Sequence, residues 1–176
     1  SAKRQLDLGY AKISNILNIE WLACVEEKGN WFTETGLKRQ EDFYANESDG
    51  SVKQVVIVSD ALRYEVAKEL MQKLAKEKHI ATIGAYQAML PTETKYCKPA
   101  LLPHQSLELN DTDIMVDGAV LTTTDQRTVH LGKYCDGAIC VRYEDVMNSD
   151  SQSMRELFKR PLVYIFHDTI DDAGHS

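Results

Sequence analysis

Basic residues are in deficit in this 176-residue sequence: Lys and Arg total 20 against 27 Asp and Glu, a net charge of −7. The chain as a whole therefore lacks the positive field that gathers nucleic acid, which leaves only a local site for such a ligand. No run of about 18 apolar residues occurs, so no helical membrane span is expected. The first residues, SAKRQLDLGY, lack the continuous apolar core of a signal peptide, and the expected location is the cytoplasm. The four cysteines, Cys24, Cys97, Cys135 and Cys140, include no pair at the two-residue spacing of a zinc knuckle or redox motif and read as scattered reduced thiols. Internal repeats and low-complexity tracts are also missing, so neither a solenoid nor a disordered chain is expected.

What is present is enough apolar material, 43% of the residues, for one sizeable core. Leu6, Tyr10, Ile13, Leu17 and Trp21 recur at spacings of four, three, four and four, which places them on one stripe of a helix over residues 4–26. Lys28, Gly29 and Asn30 end that helix, and the stretch to Phe43 is expected to be helical without a clear period. Turn formers and charges at residues 46–50 (NESDG) mark a boundary near residue 50. The expected organisation is a helical segment over 1–50 and an α/β domain over 51–176.

Val55, Val56, Ile57 and Val58 form a β-branched run ending in Ser59 and Asp60, followed by a helical stripe of Leu62, Val66, Leu70 and Leu74. A strand covered on both faces and followed at once by a helix is a βα unit of a parallel sheet. Residues 80–89 supply a second strand, and residues 93–102 a short helix weakened by Pro99. Residues 114–116 and 119–121 flank Asp117 and Gly118, a dipeptide suited to a tight hairpin turn. Thr124 caps a helix over 125–134, residues 138–141 form a strand, 151–159 a helix, and 162–166 (LVYIF) a strongly apolar strand. The fold class is α/β, a mainly parallel sheet flanked by helices, preceded by a helical N-terminal segment.

Ligands of open α/β sheets sit beyond the carboxyl ends of the parallel strands. Asp60 follows the first strand, while Asp168, Asp171, Asp172 and His175 follow the last, so two distant segments converge at one sheet edge. Carboxylates gathered there repel unless a cation is present, and a histidine adds a nitrogen donor favoured by zinc. Asp171 with Gly174 and His175 is the more specific pattern, because glycine allows the turn that brings acid and imidazole to one ion. An Asp at a strand end also serves as a helix cap, and that reading of Asp60 stays open. In the segment 90–96 (LPTETKY), a metal-bound threonine hydroxyl is an effective nucleophile, and Thr94 at a helix start would meet phosphate with backbone N–H groups. Here too a plain N-cap role for Thr92 or Thr94 remains.

The stretches SDALRYEVAKEL, LPTETKYCKPALLP and YIFHDTIDDAGHS, in this order over about residues 52–176, resemble the PglZ family of the alkaline phosphatase superfamily, found in bacterial BREX-type phage-defence systems. The resemblance implies an alkaline-phosphatase-like core. It assigns Thr94 as covalent nucleophile, Asp60 and Thr94 to one divalent metal, and Asp171 and His175 to a second. The ions implied are zinc, with manganese or magnesium as alternatives. Arg63 is implied as a phosphate contact, against a surface salt bridge as its other role. His167 and Asp168 receive no role from the family pattern and read as structural, and Asp172 is discounted because adjacent turn positions point apart. The superfamily's later Asp-His element and a further His do not occur before Ser176, so the core is expected to be truncated and the chain inactive by itself.

The resemblance implies a metal-dependent phosphatase or phosphodiesterase, a phosphoester substrate that includes nucleic acid as a candidate, and other BREX proteins as partners. The alternative is a phosphatase-fold scaffold that binds defence proteins without catalysis. A nucleotide-binding or phospho-acceptor domain fares worst, because no glycine-rich loop follows the first strand and no second acid stands two residues after Asp60.

Overall fold

The computed structural model describes residues 2–29, 35–48, 50–110 and 112–174. They fall into two compact units, divided in the chain between Leu37 and Lys38. The first is built on helix α1, Ala2–Lys28, which matches the helix expected over 4–26. Gly29 closes it at φ 65°, donating its N–H to the Val25 carbonyl at 3.0 Å, a left-handed stop that glycine adopts without steric cost.

The second unit opens with strand β1, Lys38–Arg39, a 3-10 turn over Gln40–Asp42, and helix α2, Phe43–Glu47. Helix was expected up to Phe43. Lys38 and Arg39 instead pair in parallel with Tyr86 and Gln87 of strand β3, while residues 30–34 lie outside the described residues. The strand expected over 80–89 is likewise reduced to β3, Tyr86–Gln87, whose partner is only two residues long; Ile80 is fully exposed.

Strand β2, Gln54–Ser59, leads to helix α3, Tyr64–Lys76, and helix α4 spans Thr94–Ala100 after a cis Leu90–Pro91 bond. Strands β4 (Leu107–Leu109), β5 (Ile114–Val116) and β6 (Ala119–Val120) form an antiparallel sheet. The hairpin turn expected at Asp117 and Gly118 is there, with φ 49° and 76°, whereas β4, only three residues long, was not expected. Helix α5, Thr124–Leu131, is capped by Thr123 rather than Thr124: the Thr123 hydroxyl accepts from the Gln126 N–H at 3.2 Å, and the Gln126 side chain accepts from the Thr123 N–H at 3.0 Å. This reciprocal capping box needs Gln three residues after the cap, which selects Thr123. Strand β7 (Ile139–Arg142), helices α6 (Tyr143–Met147) and α7 (Ser151–Leu157), strand β8 (Leu162–His167) and helix α8 (Thr169–Gly174) complete the unit.

The main sheet is parallel, in the order β2, β8, β7. Central β8 has five consecutive buried residues, Leu162–Phe166, and side-chain alternation sends them to two cores. Leu162, Tyr164 and Phe166 meet Val56, Leu102, Leu131 and Cys140; Val163 and Ile165 meet Val146, Ile139, Val141 and Leu157. Each such side chain stabilises the fold by roughly 1.5–3 kcal/mol. β8 is therefore firmly anchored, and so is the sheet edge at its C-terminal end.

β2 differs from the expected doubly covered strand. Its Val56 is buried, but Val55 and Ile57 are 46% and 63% exposed. Among the described residues it is an edge strand, with β8 on one side only, and α3 contains no buried residue.

Candidate metal centre and nucleophile

Asp60 stands where the parallel pair β2–β8 ends. Its N–H donates to the His167 carbonyl at 2.9 Å, extending the ladder by one bond past the Ser59–His167 pair. The side chains of that pair are also joined, Ser59 Oγ lying 2.7 Å from His167 Nδ1, and the His167 ring packs edge-on against Tyr143 at 4.5 Å. The two strand ends are thus locked together, the structural role expected of His167. Directly after Asp60 the chain turns through Ala61 at φ 60°, a left-handed conformation uncommon for a residue with a Cβ. The Ala61 N–H closes this turn on Asp60 Oδ1 at 2.9 Å.

This geometry excludes the cap reading of Asp60, because the N-cap of α3 is Arg63. Asp60 Oδ2 faces α4 instead. Thr94, the first residue of α4, donates its hydroxyl to Asp60 Oδ2 across 3.1 Å, so the side chain is not capping its own helix; the N-cap is Glu93, whose side chain makes no cap bond. One turn further, Lys98 places its ammonium 3.1 Å from the same Asp60 Oδ2 and hydrogen-bonds Asp168 Oδ1 as well. Only 12% of the Lys98 side chain is exposed. Burial pushes the Asp60 carboxyl up, but the Lys98 ammonium, the Thr94 hydroxyl and the Ala61 N–H outweigh it and hold the group below the usual aspartate value.

Helix α4 is held in place from both sides. Gln40 Nε2 donates to the Cys97 carbonyl at 3.1 Å, and the buried Tyr164 of β8 donates its hydroxyl to the Leu101 carbonyl at 3.1 Å. The Tyr96 side chain is buried with Ala100 and Ile114. The Thr94 and Lys98 side chains are thereby presented to the strand ends by packed neighbours.

The sequence reading therefore divides. Asp60 and Thr94 are brought together. Asp168, read as structural, joins them through Lys98, which sequence reasoning missed. Two signals were available: Lys98 follows Thr94 by four residues and shares its helix face, and Asp168 follows the apolar strand directly. Asp171 is half-buried on α8, one helical turn past Asp168, whose carbonyl accepts the Asp172 N–H at 2.9 Å; Asp172 itself is exposed. His175 lies outside the described residues. Arg63 is exposed at the head of α3, three residues after Asp60.

Among the described residues no three His, Cys, Asp or Glu side chains gather in a group that could hold a metal ion. The donor chemistry at Asp60 nevertheless fits a cation: a carboxylate oxygen and a hydroxyl oxygen lie in contact, and an ammonium already supplies positive charge at that oxygen. Oxygen donors of this kind suit magnesium or manganese, and an added imidazole would favour zinc.

The family model for the BREX system PglZ alkaline phosphatase-like domain matches residues 42–176. The chain is 33% identical over 168 residues to the alkaline phosphatase-like protein PglZ of Bacillus cereus (strain H3081.97), a match covering 91% of this chain and 20% of that protein. It is 34% identical over 151 residues to the alkaline phosphatase-like protein BrxZ of Escherichia coli O9:H4 (strain HS), covering 79% of this chain and 17% of the relative. The chain thus spans about a fifth of the length of the curated relatives it matches. No solved structure gives a significant match.

Proposed function

The chain belongs to the PglZ family of BREX alkaline phosphatase-like domains, and from that premise we propose that the protein carrying it is a metal-dependent phosphoryl-transfer hydrolase with Thr94 as its nucleophile. The observation that carries the reading is the contact of the Thr94 hydroxyl with Asp60 Oδ2 at the carboxyl edge of the parallel sheet.

In this reading Thr94 Oγ1 attacks the phosphorus of a phosphoester, the bond from Oγ1 to phosphorus forms as the hydroxyl proton is released to solvent, and the ester oxygen leaves with the electron pair of the bond that breaks and takes up a proton from solvent. Asp60 Oδ2 holds the hydroxyl hydrogen, which turns an oxygen lone pair away from the carboxylate and toward an incoming substrate. Water then cleaves the phosphothreonine and restores the hydroxyl. Two divalent ions, when bound, supply positive charge that favours the alkoxide and offsets charge on the transferring group. Asp60 and Thr94 are assigned to one ion and Asp171 and His175 to the other; the imidazole makes zinc the first choice, with manganese or magnesium behind it. Arg63, exposed three residues after Asp60, is assigned to the phosphate oxygens.

The superfamily's general dependence on metal, the donor set at Asp60 and the family membership support this reading. The substrate class is a phosphoester, with nucleic acid among the candidates. The partners proposed are other BREX components, and the setting is phage defence in the bacterial cytoplasm. Among the described residues no helix is long and apolar enough to cross a membrane.

Metal removal tests the proposal. The full-length protein is expected to hydrolyse bis(p-nitrophenyl) phosphate, to lose that activity on exhaustive chelation, and to regain it with manganese, whereas Asp60→Ala does not regain it. Undiminished hydrolysis after chelation would remove the metal from the reaction.

A further inference from the structure

Two acids and one ammonium meet at the carboxyl edge of the sheet. Lys98 Nζ lies 3.1 Å from Asp60 Oδ2 and hydrogen-bonds Asp168 Oδ1, so both carboxylates address a single point in space. The Lys98 side chain is 12% exposed, against 22% for Asp60 and 46% for Asp168. The Lys98 side chain is therefore the least exposed of the three and Asp168 the most. A second cation lies at this end of the sheet: Arg127, on α5, stacks on the Phe166 ring at 4.6 Å and donates Nε to the Leu121 carbonyl at 3.1 Å.

We propose that the point held by the Lys98 ammonium is a cation position shared by Asp60 and Asp168, and that Lys98 is a built-in competitor that sets how tightly this position takes a divalent ion. The inference rests on the proposed function and adds to it two residues that neither the family pattern nor the donor assignments above include. A divalent ion taking the point that Asp60 Oδ2 and Asp168 Oδ1 both address must displace the ammonium, because two cations cannot share one position and repel each other there. Asp168 then serves in two ways: it offers a second carboxylate to the ion, and it keeps a counter-charge beside the displaced ammonium. Thr94 is one turn before Lys98 on α4 and bonds to the same Asp60 oxygen, so the exchange takes place in direct contact with the nucleophile.

Titration calorimetry with manganese chloride on the full-length protein tests this. Removing a unit positive charge from within about 4–6 Å of a site shifts cation affinity by an order of magnitude or more, as it does for protons. Lys98→Met is therefore expected to bind manganese about tenfold tighter than wild type, Lys98→Arg to bind it about as wild type does, and Asp168→Asn to bind it several-fold more weakly. Thermal melts of the metal-free variants precede the titrations. If Lys98→Met does not melt cooperatively, the polar Lys98→Gln replaces it, with the same expected tightening. A lysine that only braced the strand ends would give the opposite sign, a loosened site and weaker binding. Equal or weaker binding in the charge-removing variant, or unchanged binding in Asp168→Asn, would overturn the inference while leaving the proposed function standing. A wild-type protein that binds no manganese, zinc or magnesium would overturn both.

Discussion

The Thr94 hydroxyl and the Asp60 carboxylate, 34 residues apart in the chain, meet at 3.1 Å because a parallel strand end and a helix start are each fixed by other contacts. Asp60 is pinned by its N–H bond to the His167 carbonyl, and α4 by Gln40 and Tyr164. Neither residue reaches the other by flexibility of its own segment. A hydroxyl held this way has its hydrogen committed to the acid, which leaves its oxygen aimed elsewhere.

The turn that carries Asp60 stores strain. Ala61 at φ 60° occupies a left-handed conformation that costs a residue with a Cβ roughly 1–2 kcal/mol, part of which glycine would give back as extra freedom of the unfolded chain. Ala61→Gly is therefore expected to stabilise the protein by about 1 kcal/mol and to keep the N–H bond to Asp60 Oδ1. Thermal melting checks this, and a lower melting temperature in the variant would show that the methyl group makes contacts worth more than the strain.

Asp117 supplies a pH test remote from the site. Its Oδ1 accepts the N–H groups of Gln105 at 2.8 Å and Ser106 at 2.9 Å, and its Oδ2 takes the Tyr134 hydroxyl. Burial pushes this carboxyl up, but those bonds and the nearby His130 bring it down to about 2. A folded value below the unfolded one means that the native state binds fewer protons. The stabilisation is thus complete above the ordinary aspartate value of about 4 and is lost as pH falls toward 2. Asp117→Ala is expected to cost about 1–3 kcal/mol at neutral pH, with the gap to wild type closing as the solution is acidified from pH 5. Urea unfolding over that range measures it; a gap that stays constant would show that the charge contributes nothing.

The residues most legible in the sequence were those whose pattern is local. The stripe of α1, the apolar run of β8 and the Asp117–Gly118 turn each declare themselves within a few positions, and all three lie where expected. Thr123 and Thr124 are distinguished only by Gln126, three residues past the true cap. What stayed hidden depends on neighbours distant in the chain. Lys38 and Arg39 carry no strand signal and become β1 only because Tyr86 and Gln87 lie alongside. The apolar run of β2 reads as doubly covered, yet whether a face is covered is decided by other segments, and Val55 and Ile57 stand exposed. Lys98 reads as an ordinary surface lysine on a short helix, and only the strand ends reveal the two acids waiting for it. At the site, the family resemblance rather than local sequence singled out Asp60 and Thr94 over plain helix caps, whereas the ammonium between the acids required three dimensions.

The most direct measurement is the rate at which full-length wild type and its Thr94→Ala and Thr94→Ser variants hydrolyse bis(p-nitrophenyl) phosphate with manganese at saturation. A nucleophile removed outright is expected to cost about a thousandfold or more in kcat, with Thr94→Ser, which keeps a hydroxyl beside Asp60, retaining measurable turnover. Turnover of Thr94→Ala at the wild-type rate would contradict the account.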